Sequence, residues 1–198
     1  MVPATLDRGI RLLVIAAFGA LLAFALVAAK PGSAQGAKTI CPIAGSQVFL
    51  PWNDKALYYL APGGGFESDT TSWTLSGDAT TSIGNETFFL GGSADTASLT
   101  LPAGASALSP AFCVETGSPT LRLFYEGGSS GSSLKVEAIY AGGTKVTSVT
   151  SASSVWTPTA RLPILGPGLK TGWAQLRLTA VGAGYSVDDV YIDPRKGG

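Results

Sequence analysis

Two aspartates stand side by side in the closing segment GYSVDDVYIDP, residues 184–194, and a Phe-Glu pair lies in GGGFESD, residues 63–69. Carboxylates so placed have two main chemistries. Paired across a cleft they cleave glycosidic bonds; gathered with carbonyl oxygens they hold a hard cation such as calcium. The closing segment reads as a β-strand, where successive side chains point to opposite faces, so one of Asp188 and Asp189 must turn inward. With Val190 and Ile192 toward the core, alternation puts Asp188 on their side and Asp189 outward. A lone buried carboxylate is costly. Asp188 therefore calls for a cation, an arginine partner (Arg177 or Arg195), or a solvated strand end.

Other chemistries are excluded by composition. The chain has no histidine, which removes Ser-His-Asp and Cys-His catalysis and every His-ligated zinc or iron site. No nucleophile elbow or P-loop supports a hydrolase or nucleotide site, and the acids stand mostly singly near turns. No enzyme is expected and no catalytic residue is assigned. With 13 basic and 13 acidic residues the formal net charge is +0, so nothing advertises a nucleic-acid partner. Asn85-Glu86-Thr87 fits the glycosylation sequon, whose use depends on the host.

Aromatic residues are the best ligand candidates, because sugar rings stack their apolar C–H faces on Trp and Tyr while nearby polar groups bind hydroxyls. Alternation along WAQLRLTA, residues 173–180, puts Trp173, Gln175, Arg177 and Thr179 opposite Leu176 and Leu178. Along PTLRLFYE, residues 119–126, it puts Phe124 and Arg122 outward. Trp173, Phe124, Gln175 and Arg177 are thus the expected ligand-binding set. The plainer alternative is that residues 41–62 cover this outer face and make them packing residues. Trp73 and Trp156 are read as core.

The N-terminus reads as a leader. Arg8 and Arg11 precede the 18-residue apolar run LLVIAAFGALLAFALVAA, residues 12–29, and the small-residue stretch KPGSAQGA. This is the layout of a secretory signal peptide over residues 1–34. Cleavage after Ala34 fits it, with Ala29 the alternative. The run is also at the lower edge of membrane-spanning length, so a membrane association follows only if the leader is kept as an anchor. Either way the remainder is exported to the extracellular space or cell surface. Removing Arg8, Arg11, Lys30 and Asp7 takes three bases and one acid from thirteen of each, leaving a formal charge of −2. In an oxidising compartment the two cysteines, Cys41 and Cys113, imply one disulfide. Closing a loop of roughly 70 residues, it would contribute about 4 kcal/mol on the chain-entropy account.

These residues need a scaffold of strands. The chain is 198 residues, 45% hydrophobic and 13% charged, with 26 Gly and 12 Pro. That accommodates one domain with a sizeable core. Alternating segments at 97–101, 119–126, 134–140 and 173–180 are joined by shorter strand candidates at 46–50, 57–60, 72–76, 87–90, 108–114, 145–149 and 153–157. Gly-rich turns at 62–65, 91–92, 126–133 and 141–144 separate them, and no helix is indicated. Many short alternating strands argue for an all-β antiparallel sandwich or barrel.

The segment GGGFESDTTSWTLSG, residues 63–77, resembles the opening strand of the galactose-binding-like jelly rolls, which carry a Phe-Glu segment followed by a Trp. ASLTL, SSVWTPT, QLRLTA and VDDVYID follow in the order of that family. The likeness covers about residues 63–193, and it extends to a set of exported bacterial proteins without assigned function. The resemblance implies a jelly-roll β-sandwich over 63–198, preceded by a preface at 35–62 that such binding modules usually lack. It also implies a structural calcium held by Glu67 and Asp188, with Asp189 beside them. The function it implies is non-catalytic binding of a carbohydrate or cell-surface glycan. A secreted structural or adhesive protein using the same sandwich for protein contacts is the alternative.

Overall fold

Two kinds of strand build the fold, and they differ in how many faces are covered. In LKVEAIY every second side chain is apolar, so one face is buried and the other open. In LRLFYE and VYID apolar residues stand on both faces, which requires cover on both sides. The computed structural model describes residues 41, 45–67, 72–115 and 119–193, all within the unit Lys38–Gly198. The leader at 1–34 and Arg195 lie outside the described residues.

The first sheet contains β3 (Thr80–Ile83), β4 (Ala97–Leu101), β7 (Thr120–Gly127), β10 (Ser153–Pro158) and β13 (Tyr185–Asp193), in the order β10-β7-β13-β4-β3. Short strands β1 (Tyr59–Leu60) and β11 (Leu162–Pro163) pair with β13 and β7. The second sheet contains β2 (Thr74–Ser76), β5 (Ser106–Leu108), β8 (Ser133–Tyr140), β9 (Gly143–Val149) and β12 (Gly172–Val181), in the order β2-β5-β12-β8-β9, with β6 (Phe112–Val114) on β12. All these pairings are antiparallel. The chain passes from one sheet to the other after β1, β2, β4, β6, β7, β9, β11 and β12, the winding of a jelly-roll sandwich.

Between the sheets lies the main core, where Leu121, Leu123 and Tyr125 from β7 and Val187, Val190 and Ile192 from β13 meet Leu134, Val136 and Ala138 from β8 and Leu176 and Leu178 from β12. A second cluster sits on the far side of the first sheet, formed by Phe49, Ala56 and Tyr58 from the preface with Phe124 and Tyr191. Phe49 stacks on Phe124 at 5.8 Å and meets Tyr191 edge-on at 5.7 Å. The preface is thus a third layer over the first sheet.

An ionic hub fixes that layer. The buried Asp54 carboxylate accepts hydrogen bonds from Arg122 Nη1 at 3.1 Å, Tyr58 Oη at 2.8 Å, Arg161 Nε at 3.0 Å and the Ala56 amide at 3.1 Å, with a further bond from Arg161 Nη2. Burial alone would raise the Asp54 pKa, but the bonds from Arg161, Tyr58 and Ala56 override it and hold the carboxyl well below its ordinary range. Arg122 also lies over the Phe49 ring, 4.2 Å from its centroid.

Several expected elements differ. Residues 46–50 form a single bridge, Ser46 to Tyr58, followed by a 3-10 turn at Leu50–Trp52. The segment 108–114 is divided between β5 and β6, because Pro110 removes a ladder donor. Residues 87–90 are a loop, since the Glu86 carboxylate satisfies the Phe88 and Leu90 amides. A G-x-S-x-G spacing does occur at Gly127, Ser129 and Gly131, but it is the turn between β7 and β8. No helix follows it, so it is not a nucleophile elbow.

Candidate functional site

The outer face of the second sheet is open. From β12 it presents Trp173, Gln175, Arg177 and Thr179, while Ala174, Leu176, Leu178 and Ala180 are buried. Ladder pairing puts Arg177 between Glu137 of β8 and Leu108 of β5, Gln175 beside Ile139, and Thr179 beside Lys135. Lys135 Nζ binds Glu137 Oε1 at 2.8 Å, and Arg177 Nη1 stands 3.9 Å from Glu137 Oε2. Gln175 Nε2 donates to the Ser109 carbonyl at 3.0 Å, which fixes the amide and commits its nitrogen, not its oxygen.

Trp173 anchors one end of this row. It is 59% exposed, although indole rings are ordinarily well buried. Its ladder partner is Cys113, joined by a disulfide to Cys41 with Cα atoms 5.4 Å apart. Trp173, the disulfide, Leu60, Pro62, Ala111 and Tyr59 line an apolar cleft of about 230 Å³. Its walls are fixed: Tyr59 Oη donates to the Cys113 carbonyl at 2.8 Å, and Trp73 Nε1 donates to the Pro62 carbonyl at 2.9 Å. A flat apolar platform beside oriented polar groups is the arrangement that takes a sugar ring.

Phe124 is not part of this face. It belongs to the first sheet and is fully buried, packed against Phe49, Trp52 and Phe88. Its outward orientation was correctly expected, but the preface covers it. Arg122 is covered in the same way. Lys135 and Glu137, which sequence reasoning passed over, join Gln175 and Arg177; the alternation of LKVEAIY carried that signal.

A second constellation lies at the acidic end of β13. The strand carries a bulge there: Asp188 pairs with Phe124, but Tyr191 pairs with Arg122, so one residue is extra. Asp188 consequently stands on the face of Phe124 and Tyr191, not with Val190 and Ile192 as strict alternation predicts. Asp189 occupies the bulge at φ 49° and is also buried, not outward. No Asp188–Arg177 pair forms, since Arg177 is on the other sheet.

The bulge is clasped by the turn after β1. Ala61 N donates to the Val190 carbonyl at 2.8 Å, and Val190 N donates to the Gly64 carbonyl at 3.0 Å. Gly64 is required, because a Cβ would come within 2.9 Å of the Val190 oxygen. Phe66, at φ 56°, also adopts the left-handed conformation, which is costly for a side-chain-bearing residue and tends to mark functional sites.

Asp189 feels the charges of Glu86, Asp95 and Glu67, Asp188 feels Asp189 and Glu86, and Asp95 feels Glu67. Glu67 accepts the amides of Thr96 at 2.7 Å and Ala97 at 3.0 Å. Asp188 accepts those of Glu86 at 3.0 Å and Asp189 at 2.8 Å. Asp189 Oδ2 is buried without a hydrogen-bond partner. Burial, with Asp189 and Glu86 nearby, pushes Asp188 up to about 8 against the bonds it accepts. Burial, then Glu86, Asp95 and Glu67, pushes Asp189 up to about 7. Among the described residues no three Asp, Glu or Cys side chains converge as a ready-made metal site. Glu86 and Asp95 carried no local sequence signal, because only the tertiary fold brings their loops to β13.

No known family's sequence profile matches the chain, and no curated protein matches it. Solved structures do resemble it. One is a family 61 carbohydrate-binding module in complex with β-1,4-galactotriose, at 16% identity and a TM-score of 0.46, covering 68% of this chain and 96% of that one. Another is a carbohydrate-binding module from Cellvibrio mixtus lichenase 5A in complex with cellotriose, at 16% identity and a TM-score of 0.47, covering 70% and 96%. A third is the xylan-binding domain CBM22-1 of Paenibacillus barcinonensis Xyn10C, at 18% identity and a TM-score of 0.44, covering 72% and 95%. At these identities and scores, nothing about this chain's own ligand follows from the likeness.

Proposed function

We propose that the chain is an exported, non-catalytic module that binds a carbohydrate or cell-surface glycan on the open face of the second sheet. The observation that carries this reading is Trp173, exposed at the mouth of an apolar cleft and continuous with Gln175, Arg177 and Glu137. The indole would stack on a sugar ring; Gln175, Arg177 and Glu137 would bind its polar substituents. The Cys41–Cys113 bridge and the leader-like sequence support an exported setting. Among the described residues no helix is long and apolar enough to cross a membrane. A glycan array probed with wild type and Trp173→Ala tests the reading. It predicts a defined set of glycans lost with the indole, and no hydrolysis of any bound glycan. Wild-type binding to no glycan would remove it.

Calcium belongs to the same proposal as a structural ion. Support comes from the chemistry of the donors: five carboxylates, two of them in β13, with one buried oxygen of Asp189 left unpartnered. An all-oxygen anionic set suits a hard cation. Asp189, through its unpartnered oxygen, would lead the set, and Glu67 would bind through the lone pairs its two amide bonds leave free, with Glu86 and Asp95 beside them. Asp188, which accepts the Glu86 and Asp189 amides, would orient that loop and the bulge. The bound ion would supply charge neutralisation and join the turn after β1 to the closing strand.

A further inference from the structure

We infer that the glycan taken by this face is anionic, its sugars carrying a carboxylate. The inference rests on the carbohydrate reading above and specifies the charge of the ligand. Three charged side chains share the face: Lys135, Glu137 and Arg177. Lys135 engages Glu137 directly at 2.8 Å, whereas Arg177 stands 3.9 Å away, beyond hydrogen-bond reach. Glu137 therefore neutralises one cation and leaves the other in excess. Among the described residues Arg177 makes no hydrogen bond, and its side chain is 45% exposed. A guanidinium offers five donors in a planar fork whose best complement is a carboxylate held in two parallel bonds.

Position strengthens the case. Trp173 and Arg177 point to the same side of one strand, four residues and thus roughly 13 Å apart. Gln175 lies between them, its amide fixed by Ser109. A short oligosaccharide stacked on the indole and running along β12 brings a substituent of a later ring to the guanidinium. Lys170, exposed three residues before Trp173, adds positive charge near the other end of the row. A neutral glycan would use the platform and Gln175 but would leave the Arg177 fork solvated.

The test uses uronate oligomers (galacturonate, mannuronate and glucuronate-containing), each titrated calorimetrically against its own methyl ester. The ester keeps the ring, linkage and hydroxyls and removes only the charge. At least one acid form should bind about tenfold tighter than its ester, the worth of a charge-assisted bond. That gap should shrink as salt is raised, and Arg177→Gln should bring the acid form down to the ester's affinity. Equal binding of acid and ester, both weakened by Trp173→Ala, would overturn the anionic class while leaving the carbohydrate reading intact. Binding of no uronate, ester or neutral glycan would remove both.

Discussion

Asp188 stands opposite Phe124, and three residues further on Tyr191 stands opposite Arg122, two residues back on the partner strand. That single extra residue reverses the parity of β13. It moves Asp188 from the core side to the covered outer side and leaves Asp189 in a left-handed bulge, with a buried oxygen that lacks a partner. Burial raises the pKa of both carboxyls there, so their charged forms are disfavoured in the folded chain.

The first prediction concerns their titration. Asp188 and Asp189 ionise near 8 and 7 in the folded chain against an ordinary 3.8. The folded state therefore binds their protons more tightly than the unfolded state. The resulting stabilisation is fully present below about pH 4 and is lost as pH rises through about 7 to 8. In chelator, urea denaturation should show stability falling by a few kcal/mol, on the order of one per pH unit, over that window. Asp189→Asn should flatten the slope.

The second follows from the proposed ion. Calcium binding only the folded state, at about a hundredfold over its dissociation constant, adds roughly 2.7 kcal/mol. The domain should then melt several degrees higher than in chelator. Asp189→Asn and Glu67→Gln should erase most of the difference. Identical melting curves with calcium and chelator would leave these carboxylates without the ion.

The third concerns the preface. Asp54 is the common acceptor for Arg122 and Arg161, so Asp54→Ala leaves Arg122 buried and uncompensated. The expected cost is about 3 kcal/mol or more, with amide exchange accelerated across residues 46–60. Unchanged exchange there would show that aromatic packing alone holds the layer.

The fourth concerns the disulfide. Peptide mapping under non-reducing conditions should recover Cys41 and Cys113 as one linked pair. The double variant Cys41→Ser with Cys113→Ser should lose about 4 kcal/mol on the loop-entropy account. Because the bridge walls the Trp173 cleft, glycan affinity should fall as well.

Much of the scaffold was legible locally. Period-two alternation in LKVEAIY and WAQLRLTA identified β8 and β12 and the residues on their open face, because one-sided burial leaves that imprint. The closing strand was also legible, and Val190 and Ile192 do face the core, but a one-residue bulge inverts the facing of Asp188 on its other side, and nothing in VDDV announces it. Phe124 was misassigned for a different reason. Its outward direction was right, yet whether an outward face meets solvent depends on a layer 70 residues earlier in the chain. Glu86 shows the same limit, since its carboxylate serves amides in its own loop while its backbone amide reaches Asp188 of β13.

Trp173 is the proposed glycan platform. Isothermal titration of the best array glycan with wild type, Trp173→Ala and Phe89→Ala tests it most directly. Phe89 is a comparably exposed aromatic outside the second sheet. Losing a central aromatic anchor costs about 2 kcal/mol, a thirtyfold weakening. Trp173→Ala should show that loss with an unchanged melting temperature, and Phe89→Ala should keep wild-type affinity. Wild-type affinity in a folded Trp173→Ala protein would contradict it.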